Sequence, residues 1–130
     1  MKQAILLLAG LLLFGITSAQ ESLDIVRSQS LFRLKCAACH SVGCNRNGPK
    51  LEGLIGRRAG DVADFKYFTA ELKGSGIVWS DKTLDEYIDD PGKMVPGTSM
   101  VAAGRIENAA DRRDIIAHLR RQDKSIDLCS

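Results

Sequence analysis

Three residues in the first third of the chain carry side chains whose types and spacing predict specific chemistry. Residues 36–40 read Cys-Ala-Ala-Cys-His, so two thiols stand three positions apart and an imidazole follows directly. Because side chains at positions i and i+3 lie on one face of a helical turn, Cys36 and Cys39 can both reach the vinyl groups along one edge of a porphyrin. His40 can then bring a ring nitrogen to the iron. This pentapeptide is the signature of c-type haem attachment and predicts one covalent haem c per chain.

The same residues have other interpretations that the spacing alone leaves open. A Cys-x-x-Cys pair can be a thioredoxin-like redox site, although no strand pattern precedes Cys36. A zinc site is a further alternative, formed by Cys36, Cys39, His40 and Cys44, but the usual second pair of ligands is missing. A structural disulfide between Cys36 and Cys39 would stabilise little, because the loop that it closes is short.

The N-terminus has the pattern of an export signal. Lys2 is followed by an apolar run from Ala4 to Ile16 and then by small residues up to Ala19. This predicts a signal peptide over residues 1–19 and a single domain over residues 20–130. An uncleaved membrane anchor is the alternative, although the run is shorter than the roughly 20 apolar residues that span a bilayer. Loss of Lys2 lowers the formal net charge from +2 to about +1. A charge so close to neutral argues against a nucleic-acid partner.

Export also bears on the two cysteines outside the motif. In an oxidising compartment thiols tend to pair, so Cys44 and Cys129 are predicted to form an intrachain disulfide. The alternative is a free thiol at a frayed C-terminus.

The remaining pattern predicts an all-α fold with three main helices. Ser22 is the expected cap of the first, Thr83 with Glu86 is the expected capping box of the second, and Asn108 is the expected cap of a third that runs to about Arg121. Residues 41–78, with at most one short helix, and residues 91–104 are predicted to be loops. Long glycine-rich loops and an aromatic content of only 5% predict that a bound ligand fills part of the core.

Six segments together resemble the class I cytochromes c, both the mitochondrial type and its bacterial periplasmic relatives. They are residues 32–40, 48–51, 56–60, 76–79, 83–87 and 96–100, and they cover essentially the whole chain after the signal. The resemblance implies the small cytochrome c fold around one haem, with His40 and Met100 as the iron ligands. The other residues that it implicates at the haem are Pro49, Arg57, Tyr67, Trp79, Tyr87 and Thr98.

The resemblance gives each of these residues an expected role. The carbonyl of Pro49 is expected to accept a hydrogen bond from His40. Arg57, Tyr67 and Trp79, and also Thr98, are expected to bind the haem propionates, and Tyr87 is expected near the methionine sulfur.

This chain departs from the family pattern at the haem edge and at one helix contact. A phenylalanine that shields the haem edge in the family is Ala102 here. Ser28 and His118 replace the small residue and the aromatic at the contact of the first and last helices. We therefore expect His118 to be an interface residue and not an iron ligand.

An iron with both axial positions filled has no substrate site, so the prediction is a monomeric one-electron carrier in the periplasm and not an enzyme. The expected partners are membrane redox complexes or a periplasmic enzyme, bound transiently through Lys35, Lys50 and Lys93. Two alternatives stay open. The chain could be the haem subunit of a dehydrogenase, or a peroxidase or gas-binding protein if Met100 dissociates readily.

Overall fold

A computed structural model describes residues 2–129 of the chain, with the side chains of residues 18–22 and 24–129. The helices in chain order are α1 (Lys2–Lys35), α2 (Ala70–Gly74), α3 (Asp81–Asp89), α4 (Pro91–Met94), a 3-10 helix (Ser99–Ala103) and α5 (Ala109–Arg121). Residues 2–129 contain no β-strand, and an isolated bridge pairs Arg58 with Val78. The predicted all-α fold with three main helices, α1, α3 and α5, is confirmed.

Helix α1 begins much earlier than the sequence pattern predicted. Ser22 was expected to cap it, but Ser22 lies inside α1 and its hydroxyl donates to the carbonyl of Ala19 at 2.8 Å. The prediction was wrong because the preceding residues are mostly good helix formers, so the backbone needs no start at this point. The signal peptide was predicted over residues 1–19, and the side chains of residues 1–17 are not among those that the structure describes. Within the described residues no helix has both the length and the apolar character needed to cross a membrane.

The capping box of α3 lies one turn earlier than predicted. Ser80 is the N-cap, and its hydroxyl accepts from the Thr83 amide at 3.2 Å while the Thr83 hydroxyl accepts from the Ser80 amide at 2.8 Å. Thr83 is therefore the third helical residue and not the cap, and Glu86 instead pairs with Lys82. The competing signals are close in strength, because serine and threonine both cap well and Asp81 suits a first turn.

Residues 91–104 are not purely a loop. Pro91 occupies the first turn of α4, where its missing N–H costs nothing, and the Asp90 carboxylate accepts from the Lys93 amide at 3.1 Å. The 3-10 helix follows after Gly97. The short helix anticipated within residues 41–78 is α2, and Asn108 caps α5 as predicted by accepting from the amides of Ala110 and Asp111.

The core is built where α1 crosses α5. Phe32 and His118 are both 0% exposed, and their ring centroids lie 4.5 Å apart. Ser28 is buried beside them, and its hydroxyl accepts a hydrogen bond from Arg121. The structure thus places His118 at the helix contact, as predicted. Neither ring nitrogen of His118 has a hydrogen-bond partner, and the nearest carboxylate oxygen, on Asp123, lies 4.0 Å from Nδ1.

A buried arginine joins α3 to α5. The guanidinium of Arg112 donates to Asp85 at 2.7 Å, to Asp89 at 3.2 Å and to the carbonyls of Ile106 and Glu107 at 2.9 Å each. Five donors in a fixed fork suit such a site, whereas a lysine would satisfy fewer acceptors. Helices α3 and α5 are therefore held together by charged hydrogen bonds and not only by apolar contact.

Acidification below about pH 6.5 is expected to destabilise the protein through His118. Burial lowers the pKa of His118 from its usual 6.5, and the nearby Arg121 lowers it further while Asp123 and Asp127 oppose the shift. On acidification the unfolded chain therefore binds the proton at this histidine before the folded protein does. The contribution of His118 to the free energy of unfolding is constant above about pH 6.5, and below that pH it falls by at most about 1.4 kcal/mol per pH unit. Urea unfolding measured between pH 7.5 and pH 5 checks this.

The variant His118→Leu provides the control for this titration. Leucine is apolar and does not titrate, so this variant should lose the part of the slope that begins near pH 6.5. An unchanged slope would mean that another group causes the pH dependence.

Candidate functional site

Cys36, Cys39 and His40 lie on one further helical turn at the end of α1. The amide of His40 donates to the carbonyl of Cys36 at 2.9 Å, and the amide of Cys39 donates to the same carbonyl at 3.1 Å. Both cysteines carry free thiols; Cys36 is half-buried and Cys39 is exposed. Burial raises the pKa of the Cys36 thiol to about 12. The two thiols and the imidazole are thus held by one local fold, as the spacing predicted.

The imidazole of His40 is oriented by the chain that returns beneath it. His40 Nδ1 donates to the carbonyl of Pro49 at 2.8 Å, the contact expected of Pro49. Burial lowers the pKa of His40, and the bond to Pro49 only partly opposes this. A neutral ring with its hydrogen on Nδ1 leaves the lone pair of Nε2 to bind a metal.

Gly48 allows the close approach that this orientation needs. A Cβ atom on Gly48 would lie 2.3 Å from His40 Cε1 and 2.7 Å from both ring nitrogens. The Gly48 amide also donates to the carbonyl of Cys39 at 2.8 Å. The backbone of this glycine therefore packs flat against the ring.

Met100 lies in the 3-10 helix and is oriented by Thr98. The Thr98 hydroxyl accepts a hydrogen bond from the Met100 amide at 3.3 Å and lies 2.6 Å from the hydroxyl of Tyr87. Thr98 and Tyr87 are both buried. Burial raises the pKa of Tyr87. The ring of Trp79 lies 5.0 Å from that of Tyr87. Four of the predicted site residues are therefore linked in one chain of contacts.

Arg57 and Tyr67 differ in how they relate to this group. The Trp79 amide donates to the Arg57 carbonyl at 2.9 Å, so Arg57 adjoins the group, and its guanidinium donates to the carbonyls of Glu52 and Lys50. Tyr67 is 81% exposed, and its ring meets the edge of Phe65 at 5.7 Å. The described contacts do not bring Tyr67 to the other site residues.

A cavity of about 70 Å³ connects the cysteine side of the site with the methionine side. Both Cys36 and Met100 line it, and most of its other walls are apolar: Ile88, Pro91, Ala103 and Ile106. Further apolar side chains are only partly buried against the core: Leu51, Ile55, Leu72, Ile77 and Met94. These residues offer apolar surface to a large flat ligand.

The donor set and its surroundings fit a covalently attached haem. The Cys36 thiol and the Met100 thioether line one mostly apolar cavity, and the His40 imidazole is held through Nδ1, which leaves Nε2 to bind a metal. Zinc fits less well, because the Cys44 sulfur is bonded to Cys129 in the structure. Among the described residues no group of three or more His, Cys, Asp or Glu side chains is arranged to bind a metal.

One residue near His40 was not predicted from the sequence. The carboxylate of Asp127, in the C-terminal segment, accepts hydrogen bonds from the amides of Val42 and Gly43 at 2.7 Å each. No local sequence pattern indicates a contact between residues so far apart. The only signal was the predicted disulfide of the nearby Cys129 with Cys44, which would hold this segment against the loop.

Comparisons with known proteins agree with this site. A family model described as "Cytochrome c" matches residues 25–123. Proteins named cytochrome c from Gibberella zeae and Arabidopsis thaliana are 45% and 41% identical over 104 residues, covering 78% of this chain and 96% and 91% of their own length. The solved structure of cytochrome cH from Methylobacterium extorquens has a TM-score of 0.69 and 39% identity, covering 75% of this chain and 98% of that one.

Proposed function

The chain belongs to the class I cytochrome c family, and from that membership we propose that it is an exported one-electron carrier whose haem iron is bound by His40 and Met100. Proteins of this family carry one covalently bound haem c and are electron carriers, not enzymes. The observation that carries the assignment of the ligands is the mostly apolar cavity lined by both Cys36 and Met100, together with the hydrogen bond that His40 Nδ1 donates to the Pro49 carbonyl.

Each residue of the site would contribute in its own way. Cys36 and Cys39 would bind the haem as thioethers and His40 and Met100 would bind its iron, which when bound supplies a reversible one-electron couple. The Pro49 carbonyl keeps the His40 tautomer fixed and makes the ring more basic. Thr98 orients Met100 through its amide, and Tyr87 orients Thr98. A neutral thioether ligand favours the reduced state, which raises the potential.

The remaining predicted residues are proposed to bind the propionates. Trp79, Arg57 and Thr98 lie in or beside the group around Met100, which supports this role, because buried carboxylates need donors. Tyr67 is proposed for the same role on the resemblance alone, since its ring is exposed.

Transfer of the electron is proposed to occur in short-lived complexes of a monomer. Lys35 is exposed and lines the cavity beside Cys36, and Lys93 is exposed on α4. Lys50 is partly neutralised by Asp64 at 3.1 Å. Because one of these three lysines is paired, we propose weak, moderately salt-dependent docking onto membrane redox complexes or a periplasmic enzyme.

Export is supported by the N-terminal pattern and by the cysteines. The sulfurs of Cys44 and Cys129 are joined across a sequence separation of 85 residues. A disulfide there would stabilise the protein by about 4 to 5 kcal/mol in the chain-entropy model. We propose periplasmic location, cleavage after Ala19 and this disulfide together. The intact mass of the exported protein after alkylation checks both the cleavage and the disulfide, and two alkylated thiols would contradict the disulfide.

Replacing Met100 by leucine is expected to abolish the weak far-red sulfur-to-iron band of the oxidised protein and to lower its reduction potential. Leucine conserves volume but has no sulfur, so the fold should be retained while the ligand is lost. The reduced variant should also bind carbon monoxide. Optical redox titration and carbon monoxide addition measure these effects.

Met94→Leu is the matched control, since Met94 packs against the core from α4. This variant should keep the band and the potential of the parent protein. Loss of the band in Met94→Leu but not in Met100→Leu would overturn the ligand assignment.

A second candidate function rests on the exposure of the 3-10 helix. None of its residues is buried, and Ala102 is exposed where the family has a shielding phenylalanine. If Met100 dissociates readily, the haem would bind gases or react with peroxide. Carbon monoxide binding by the unsubstituted reduced protein would favour this function over the carrier.

A further inference from the structure

The segment after α5 is fastened to the loop that follows His40. We call residues 122–129 the C-terminal strap. Ile126 of the strap packs against the core, and Cys129 is joined to Cys44. The Gln122 side chain accepts from the amide of Gly53 at 2.6 Å, and Lys124 pairs with Glu52. The strap therefore contacts both arms of the loop over residues 41–53.

Asp127 makes two hydrogen bonds from the strap to the backbone of this loop. Its Oδ1 accepts from the Val42 amide and its Oδ2 from the Gly43 amide, both at 2.7 Å. Val42 is fully buried. Hydrogen bonds from amides to an ionised carboxylate are about twice as strong as neutral ones, and two of them fix the orientation of both peptide groups.

The absence of a side chain at residue 43 makes this contact possible. A Cβ atom on Gly43 would lie 3.0 Å from Asp127 Oδ2 and 3.2 Å from the Lys124 side chain. Two residues earlier, the hydroxyl of the buried Ser41 accepts from the Leu128 amide at 3.2 Å. Three consecutive loop residues are thus bonded to the strap.

These three residues come directly after His40. Two of them, Ser41 and Val42, accept backbone hydrogen bonds from the segment that follows Pro49. The Leu51 amide donates to the Ser41 carbonyl at 3.1 Å, and the Glu52 amide donates to the Val42 carbonyl at 2.8 Å. The base of the loop is therefore closed between His40 on one side and Pro49 on the other. The distance from His40 Nδ1 to the Pro49 carbonyl depends on that closure.

We infer that Asp127 is a positioning residue for the proposed axial ligand His40, acting through the Val42 and Gly43 amides and the loop that carries Pro49. The inference rests on the proposed function, because it assigns to the strap an effect on the haem potential. The bond between Cys44 and Cys129 keeps Asp127 close to the two amides. Loosening the loop would weaken the hydrogen bond from His40 to Pro49, make the ring a poorer donor and raise the potential.

The test is Asp127→Asn in the haem-loaded protein. An amide side chain cannot accept from both Val42 and Gly43 with two oxygens, so hydrogen exchange at these two amides should accelerate at least about tenfold. The reduction potential should shift to a more positive value, and the proton resonances of the His40 ring should move. Nuclear magnetic resonance and optical redox titration measure these three quantities.

Asp123→Asn is the matched control within the strap. Asp123 accepts from Gln29 and Ser125 and thus contacts α1 and not the loop. Its substitution should lower stability and leave the potential and the exchange at Val42 and Gly43 unchanged. If Asp127→Asn does not fold, Gly43→Ala is the second variant, since its Cβ would push the carboxylate away.

The outcomes separate this inference from the proposed function. Absence of the far-red band in the unsubstituted protein would contradict Met100 ligation, and with it the proposed carrier, whatever Asp127 does. A normal band in the parent protein, with the potential and the two amides unaffected by Asp127→Asn and by Gly43→Ala, would overturn only the role of Asp127. Equal shifts of the potential in Asp123→Asn and Asp127→Asn would also overturn it, because the effect would then be one of general stability.

Discussion

Replacing Gly48 by alanine is expected to disrupt the proposed ligation of the haem iron by His40. The new Cβ would lie 2.3 Å from His40 Cε1, and no atom tolerates a non-bonded contact so short. Either the ring or the backbone of residues 48–49 must move, and both movements break the 2.8 Å contact between His40 Nδ1 and the Pro49 carbonyl. We expect loss of the far-red band and a fall in stability of about 3 kcal/mol, the upper range for overpacking. The oxidised spectrum and urea unfolding measure these effects.

Gly74→Ala is the control for this substitution. Gly74 ends α2, and a Cβ there would meet no atom within 4 Å. Its spectrum should match that of the parent protein. A Gly48→Ala variant with an unchanged spectrum and stability would show that the imidazole does not pack against this glycine in the haem-loaded protein.

Replacing Phe32 by alanine is expected to cost about 3–5 kcal/mol of the free energy of unfolding. Phe32 is 0% exposed and packs on the buried ring of His118 at the crossing of α1 and α5. With few other aromatic residues in the chain, the neighbours cannot easily fill the space. Since small domains have total stabilities of about 5–15 kcal/mol, this loss is a large share of the total. Urea unfolding at pH 7.5 measures it.

Leu34→Ala is the matched control on the same helix. Leu34 is 75% exposed, so its substitution should change stability by less than about 0.5 kcal/mol. A comparable loss in both variants would mean that helix propensity in α1 matters more than packing against α5.

The contacts of Gly48 and Phe32 explain how a fold with few regular elements can position this site. The crossing of α1 and α5 fixes the end of α1, and the haem motif follows directly from it. The Cys36 amide donates to the Phe32 carbonyl at 2.8 Å, so the residue that packs on His118 also begins the turn that holds the thiols. Damage to the helix crossing should therefore also affect the site.

Part of the site was predictable from the sequence because its geometry is local. Cys36, Cys39 and His40 occupy one helical turn, and their relative positions depend on a spacing of three and four residues. Asn108 at the start of α5 was predictable for the same reason. The capping box of α3 was predicted one turn too late, because Ser80 and Thr83 are both good caps and local preference barely distinguishes them.

Contacts between distant parts of the chain could not be predicted in this way. The pairing of Arg112 with Asp85 and the double hydrogen bond of Asp127 join residues from different elements. A charged or polar side chain has the same appearance in the sequence whether it faces solvent or a partner.

The sequence by itself therefore determined the chemistry of this protein: two thiols and an imidazole on one turn, a methionine in a family motif, and three helices separated by glycine-rich loops. Only the tertiary structure decided which backbone lies against the imidazole and which carboxylate holds its loop. Spacing along the chain sets distances within a helical turn, whereas distances between segments depend on how the whole core packs.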